Sequence, residues 1–242
     1  MFERWRQYSY AAQKHQRYRL VKIIIGFLVL FIIYNCITAF LFSVWTLDNN
    51  TMQPGLNAND RLIFASSALP AKISDINSDG RSLPFARGSV VLVDIDLKKT
   101  RGRPILLLDG VVRFFTAQKI SIIRKTDQFY IKRVIGLPGD EISMTNYIFR
   151  VKPAGSSYSL TEFELANKPY QPAIPQTPAL WDESIPFSGS MNTLVLGPDE
   201  CFVVSDDRAN TNDCRTWGPI PNSLIAARAV LRFWPVTKIE IQ

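Results

Sequence analysis

Three features beyond residue 45 carry groups that could do chemistry: an amine, a hydroxyl and a dense polar turn. The amine is Lys132, in the run Phe129-Tyr130-Ile131-Lys132-Arg133-Val134-Ile135, which stops at Gly136-Leu137-Pro138-Gly139-Asp140. Aromatic and β-branched residues ending in a Gly/Pro/Asp cluster predict a strand and a turn. Neighbours on a strand face opposite ways, so one of Lys132 and Arg133 is expected in solvent and the other in the interior. A lysine among apolar groups holds its proton less tightly and becomes a base near neutral pH. The bland alternative is a lysine that snorkels out of an ordinary strand. The hydroxyl is Thr51, directly before Met52-Gln53-Pro54-Gly55-Leu56, where Pro and Gly make a turn. The polar turn spans residues 205–218. A hydroxyl nucleophile with a lysine base is a variant of serine-hydrolase logic; it needs the hydroxyl on a tight turn, the amine within reach, and a group that holds the amine. The chain's single histidine is His15. Beyond the N-terminal region the bases are therefore Lys, Asp, Glu and Tyr. No histidine-based metal cluster is available there, and hydroxyl/lysine chemistry needs neither metal nor cofactor.

The elements that must position these groups begin with an anchor. The chain has 242 residues and a formal charge of +7, an excess that suits nucleic acid or an anionic membrane surface. Its distribution favours the membrane. Arg4, Arg6, Lys14, Arg17 and Arg19 face one acid, Glu3, within residues 1–19, and residues 20–45 are apolar apart from Lys22. That exceeds the ~20 residues that cross a bilayer. The basic flank orients residues 1–19 to the cytoplasm and residues 46–242 outside it. A cleaved signal peptide is the rival; its apolar core would be shorter, ~7–15 residues, and would end in small residues. Because the basic residues crowd the cytoplasmic flank, no nucleic-acid partner is expected. The outer region reads as strands at residues 61–65, 90–93, 129–135, 191–196 and 201–204, a strand or hairpin at 141–151, and a final apolar segment at 226–234. Residues 66–84 and 94–104 read as loops, and 105–115 as strand or helix. The proline-rich residues 153–190 read as an irregular, exposed insertion. Many short strands with Gly/Pro punctuation predict a mainly β domain of packed antiparallel sheets. Cys201 and Cys214 could pair, but free thiols are the simpler expectation.

In order behind the anchor stand four boxes, and together they resemble the type I signal peptidases, membrane-bound Ser/Lys proteases. Thr51-Met52-Gln53-Pro54-Gly55-Leu56 is similar to the nucleophile box, usually Ser-Met-x-Pro-Thr-Leu. Arg87-Gly88-Ser89-Val90-Val91 is similar to Arg-Gly-Asp-Ile-Val. Residues 130–140 match the lysine box at nearly every position. Ser205-Asp206-Asp207-Arg208-Ala209-Asn210-Thr211-Asn212-Asp213-Cys214-Arg215-Thr216-Trp217-Gly218 resembles Gly-Asp-Asn-Arg-x-Asn-Ser-x-Asp-Ser-Arg-x-Trp-Gly. The resemblance implies Thr51 as nucleophile and Lys132 as general base, with Thr211 supplying the hydroxyl that bonds the lysine. It implies an Asp213–Arg215 ion pair bracing the site, Asp206 and Arg208 shaping the turn, and the Thr51 N–H, aided by the Asn49 amide, as oxyanion donors. Met52, Leu56, Tyr130 and Ile131 would line pockets for small side chains. The implied substrates are preprotein signal peptides presented at the bilayer, cleaved faster as pH rises and Lys132 loses its proton.

The departures set a second expectation beside the first. Thr51 stands where the family has Ser, and its methyl group restricts χ1. Ser205 replaces a Gly and would be strained if that position needs φ > 0. Asp207 replaces Asn, Cys214 replaces Ser, and Ala227 stands where a Gly is frequent. An active Thr/Lys endopeptidase is one outcome; an impaired paralogue that binds signal sequences or assists assembly at the membrane is the other. The intact lysine box argues for activity, because a buried, unpaired lysine is costly to retain without use.

Overall fold

The computed structural model describes residues 2–67, 83–95, 112, 129–176 and 189–242. The expectations for residues 68–82, 96–111, 113–128 and 177–188 lie outside the described residues. Helix α1 and the strands belong to separate compact units. Helix α1 runs Phe2–Phe40. Within it Lys14–Asn35 is long and apolar enough to cross a membrane. Many of its large described side chains, among them Ile24, Phe27 and Leu30, are exposed. The helix stops short of residue 45. Phe42–Thr46 forms strand β1 instead. An aromatic and β-branched run suits a pleated surface better than a helix, and here it pairs antiparallel with β2 (Arg61–Ser66), Phe42 opposite Ala65 and Thr46 opposite Arg61.

The mainly β expectation holds. Among the described residues the larger sheet runs in the order β1-β2-β11-β3-β4-β9-β10, with β12 beside β11. Its further strands are β3 (Val90–Asp94), β4 (Phe129–Gly136), β9 (Glu200–Val204), β10 (Ile220–Pro221), β11 (Ile225–Trp234) and β12 (Glu240–Ile241). A smaller sheet has the order β7-β6-β5-β8, from β5 (Glu141–Thr145), β6 (Ile148–Lys152), β7 (Leu160–Thr161) and β8 (Met191–Val195). β5 and β6 form a hairpin whose turn residues, Asn146 and Tyr147, have φ of 52° and 63°, the conformation that matches the twist of paired strands.

Alternation along β3 divides the interior into two cores. Val91 and Val93 join Val134, Ile142, Phe149 and Phe202 in one cluster. Val90 and Leu92 face the other, with Leu47, Met52, Leu56, Leu62, Phe64, Ala227 and Ala229. Strand β4 lies between β3 and β9. Both its faces are covered, so Lys132 and Arg133 are both buried, against the expectation that one would reach solvent. A central strand with two covered faces gives a polar residue no open side.

Where β4 meets the smaller sheet, space is tight. A Cβ on Gly136 would stand 2.2 Å from Ile142 Cδ1 and 2.9 Å from Leu196 Cδ1. Both neighbours are buried. Gly136→Ala is therefore expected to lower the unfolding free energy by roughly 1–3 kcal/mol through overpacking. Urea titration of tryptophan fluorescence checks it.

Candidate active site

Lys132 is 1% exposed. Its Nζ lies 5.8 Å from the Tyr130 ring centre and 5.7 Å from that of Trp217, and the two rings meet edge to face at 5.3 Å. The amine donates one hydrogen bond, 2.7 Å, to Ser205 Oγ. Burial brings its pKa from 10.5 down to about 8; Asp213 pulls it back upward, and Arg215 pushes it down. Among the described residues no carboxylate is bonded to it; the two acids that act on it, Asp213 and Asp206, are held by arginines. Asp213 receives Arg215 through Nε at 3.0 Å and Nη2 at 2.8 Å, and its Oδ2 accepts the Ser205 N–H at 2.9 Å. Burial alone would raise the Asp213 pKa, but the Arg215 bonds and charge outweigh it and hold the carboxyl below its usual range. Asp206 receives Arg133 through Nε at 2.7 Å and Nη2 at 2.5 Å. Arg133 Nη1 also donates to Gly88 O at 2.6 Å, which ties the second box to the lysine box. Arg87 and Asp140 join the same two boxes, at 3.0 and 2.7 Å.

The polar turn is thus interior structure rather than a surface ornament. Asp206, Arg208 and Asp213 are each 0% exposed. Arg208 does not turn back on its own loop; Nη2 donates to Glu162 Oε2, and its guanidinium stands 5.0 Å from the Phe149 ring centre. Glu162 opens the short helix α2 (Glu162–Leu165) inside the proline-rich insertion. The same carboxylate accepts the Tyr170 hydroxyl and, at 3.1 Å, the Phe149 N–H. Tyr170 lies 4.0 Å from the Arg133 guanidinium. Ala173 exchanges backbone bonds with the turn, its N–H to Asp206 O and its C=O from Arg208 N–H, both 2.9 Å. So Glu162, Tyr170 and Ala173 of the insertion, expected to be exposed, brace the site, while most of its other described residues are half-buried or exposed. The sequence offers two acids there, Glu162 and Glu164 in Leu160-Thr161-Glu162-Phe163-Glu164-Leu165, and nothing local singles out Glu162.

Thr51 is half-buried and sits beside this turn, its carbonyl accepting the Asp207 N–H at 3.0 Å. Its Oγ1 donates to Asn49 Oδ1 at 2.7 Å, and its N–H faces the same oxygen at 3.4 Å. Asn49 Oδ1 is thus an acceptor toward Thr51, and the donor role expected of its amide concerns an oxyanion of bound substrate. The Thr51 hydroxyl and the Lys132 amine hold separate partners in this state. Met52 and Leu56 are wholly buried in the second core, whereas Tyr130 and Ile131 are half-buried. Thr211 is not bonded to Lys132; its carbonyl accepts Thr216 Oγ1 at 2.5 Å. Ser205 lies outside the left-handed region, so the strain expected of it is absent. Cys214, in the short helix α3 (Cys214–Trp217), and Cys201 are free and buried. Burial pushes the Cys214 thiol up to about 12, which makes it a packing group rather than a nucleophile.

The model of the family described as signal peptidase, peptidase S26, matches residues 18–234. The chain belongs to that family. A signal peptidase I of Leptolyngbya laminosa is 30% identical over 115 residues, 47% of this chain and 45% of the relative. A probable signal peptidase I-2 of Synechocystis sp. is 28% identical over 112 residues, 46% and 41%. This chain therefore spans less than half the length of those two relatives. Signal peptidase I P of Bacillus subtilis subsp. natto is 24% identical over 229 residues, 94% of this chain and 96% of the relative.

Two variants separate the energetics of this site. Glu162→Ala leaves the Arg208 charge buried without its carboxylate and is expected to cost about 3–5 kcal/mol of unfolding free energy. Lys132→Met removes an amine whose folded pKa lies below its unfolded value. The unfolded chain binds more protons between about pH 8 and 10.5, so wild-type stability rises across that window. The variant is expected to lack that rise and, at pH 7, to gain on the order of 3 kcal/mol. Denaturant titrations at pH 7 and pH 10 read both effects.

Proposed function

We propose that this protein is a membrane-bound signal peptidase I that removes N-terminal signal peptides from exported preproteins, with Thr51 as nucleophile and Lys132 as general base. The observation that carries this reading is the buried amine, poised near neutral pH and bonded to a hydroxyl rather than to an acid. Lys132 takes the Thr51 proton as Oγ1 attacks the carbonyl carbon of the scissile bond. The Thr51 N–H stabilises the oxyanion. Lys132 then gives the proton to the departing amine, and activates the water that frees the acyl group. Substrate must first displace the Asn49 carboxamide from the two Thr51 donors. Asp213 and Arg215 brace the lysine's turn, and Asp206 and Arg208 pin it to β4 and to the insertion. Tyr130 and Ile131 line shallow pockets for small side chains, Ile131 packing against the core that holds Met52 and Leu56 and Tyr130 against the other. Small pockets reject larger residues by clash.

The apolar part of helix α1 is assigned as a single membrane span of the cytoplasmic membrane, with residues 1–19 in the cytoplasm and the strands outside. Such an anchor holds the domain where translocated chains emerge and raises its effective concentration there.

Cleavage of a model preprotein by the full chain in lipid vesicles tests the assignment. Thr51→Ser is expected to keep or raise the rate. Thr51→Ala and Lys132→Ala are each expected to lower it at least ~100-fold. The rate should climb with pH through a midpoint near 8, as the neutral amine forms. A wild-type chain that does not cut and is not rescued by Thr51→Ser would instead support a binding paralogue.

A further inference from the structure

We propose that Ser205 is the positioning residue that holds the Lys132 amine, the task that the resemblance implied for Thr211. The proposal rests on Lys132 serving as the base. Three observations carry it. First, the register places the pair: Arg133 stands opposite Val204 and Val134 opposite Val203 in the antiparallel β4–β9 ladder. Carried one step on, Lys132 faces Ser205, and directly opposed residues share a face. Second, the contact is made and dry: Ser205 Oγ lies 2.7 Å from Nζ, with Ser205 at 0% exposure. Third, Ser205 is itself fixed, its N–H bonded to Asp213, which Arg215 grips at two points. Thr211 makes no such contact.

The chemistry follows from counting donors. A neutral amine has two N–H groups and one lone pair. Giving one N–H to Ser205 Oγ fixes rotation about the Cε–Nζ bond and leaves the lone pair free to face another proton donor. After proton transfer the same oxygen still accepts from the ammonium and stabilises it. Ser205 cannot be the nucleophile, because a wholly buried hydroxyl meets no peptide. A glycine, the residue usual in the family here, supplies no hydroxyl. The lysine's partner here is the first residue of the polar turn, not Thr211 in its middle.

The test compares Ser205→Ala and Ser205→Gly with Thr211→Ala in the full chain. For both Ser205 variants, kcat should fall roughly 10- to 100-fold through misplacement of the base, with KM within about twofold. The acidic limb of the rate profile should move to lower pH by about half a unit or more, since the ammonium loses its acceptor. Wild-type kcat and an unmoved limb in Ser205→Ala would overturn the proposal, as would the same losses appearing in Thr211→Ala but not in Ser205→Ala. Direct NMR titration of the Lys132 ammonium, wild type against Ser205→Ala, needs no cleavage. A lowered pKa there in a chain that does not cut keeps the Ser205 contact and discards the proteolytic reading; an unchanged pKa discards the contact alone.

Discussion

The site depends on keeping one amine out of water without giving it an acid. Lys132 lies within electrostatic range of Asp206 and Asp213, either of which could hold it as an ammonium. Both are occupied. Arg133 takes Asp206 and Arg215 takes Asp213, each through two nitrogens. A bidentate guanidinium matches a carboxylate's geometry, whereas an ammonium is a point charge. The arginines therefore win the carboxylates, and desolvation governs the lysine. Buried ion pairs of this kind contribute little net stability against apolar packing. What they supply here is an arrangement in which negative charge is present but already spent, so the amine's affinity for a proton falls toward neutrality.

That arrangement requires a strand with no open face. Lys132 and Arg133 are adjacent on β4 and point opposite ways, one toward Tyr130 and Trp217, the other toward Asp206 and Tyr170. If either face were solvated, one of the two cations would relax into water and the division of labour would fail. The covers are non-local: the polar turn follows β9, and the Tyr170 side comes from the insertion between β7 and β8. Glu162 completes the set by neutralising Arg208, whose Nε and Nη1 have no partner among the described residues. Glu162, with the Ala173 backbone, thus holds Arg208 within the turn that carries Ser205, Asp206 and Asp213.

Much of this was legible in the residues, and the limits have physical causes. The strands around Lys132 follow from local pattern, because turns and alternation are local properties, whereas the four boxes and the Asp213–Arg215 pair came from the resemblance to a known family. Strand β1 was hidden by continuity: an apolar run passes from helix to strand with no Gly or Pro to mark the change, and only pairing with β2 decides it. The burial of both Lys132 and Arg133 was not legible, since alternation tells which residues share a face but not whether that face is covered. Glu162 was missed because its partners, Arg208 and the Phe149 N–H, are distant in sequence. Ser205 was read as a glycine replaced at a risk of strain; its value appears only once the β4–β9 register places it across from Lys132.

Thr51 bears on how the two hydroxyls divide their roles. A threonine's extra methyl narrows χ1, so its hydroxyl is delivered in fewer directions than a serine's. Here that hydroxyl rests on Asn49, while the amine rests on Ser205. The Thr51–Asn49 bond joins two neutral groups and is of the kind whose net worth is only ~0.5–1.5 kcal/mol, whereas the Lys132–Ser205 bond is charge-assisted below about pH 8 and neutral above it. On the proposed function, an extended peptide that brings its carbonyl to the Thr51 N–H would replace the Asn49 oxygen, now 3.4 Å from that N–H, and release the hydroxyl in the same movement. The amine needs no such release, because its bond to Ser205 uses an N–H and not the lone pair. In the proposed mechanism, the Asn49 bond is the one that a bound substrate must break before Thr51 can turn to Lys132, while the Ser205 bond keeps the amine aimed throughout.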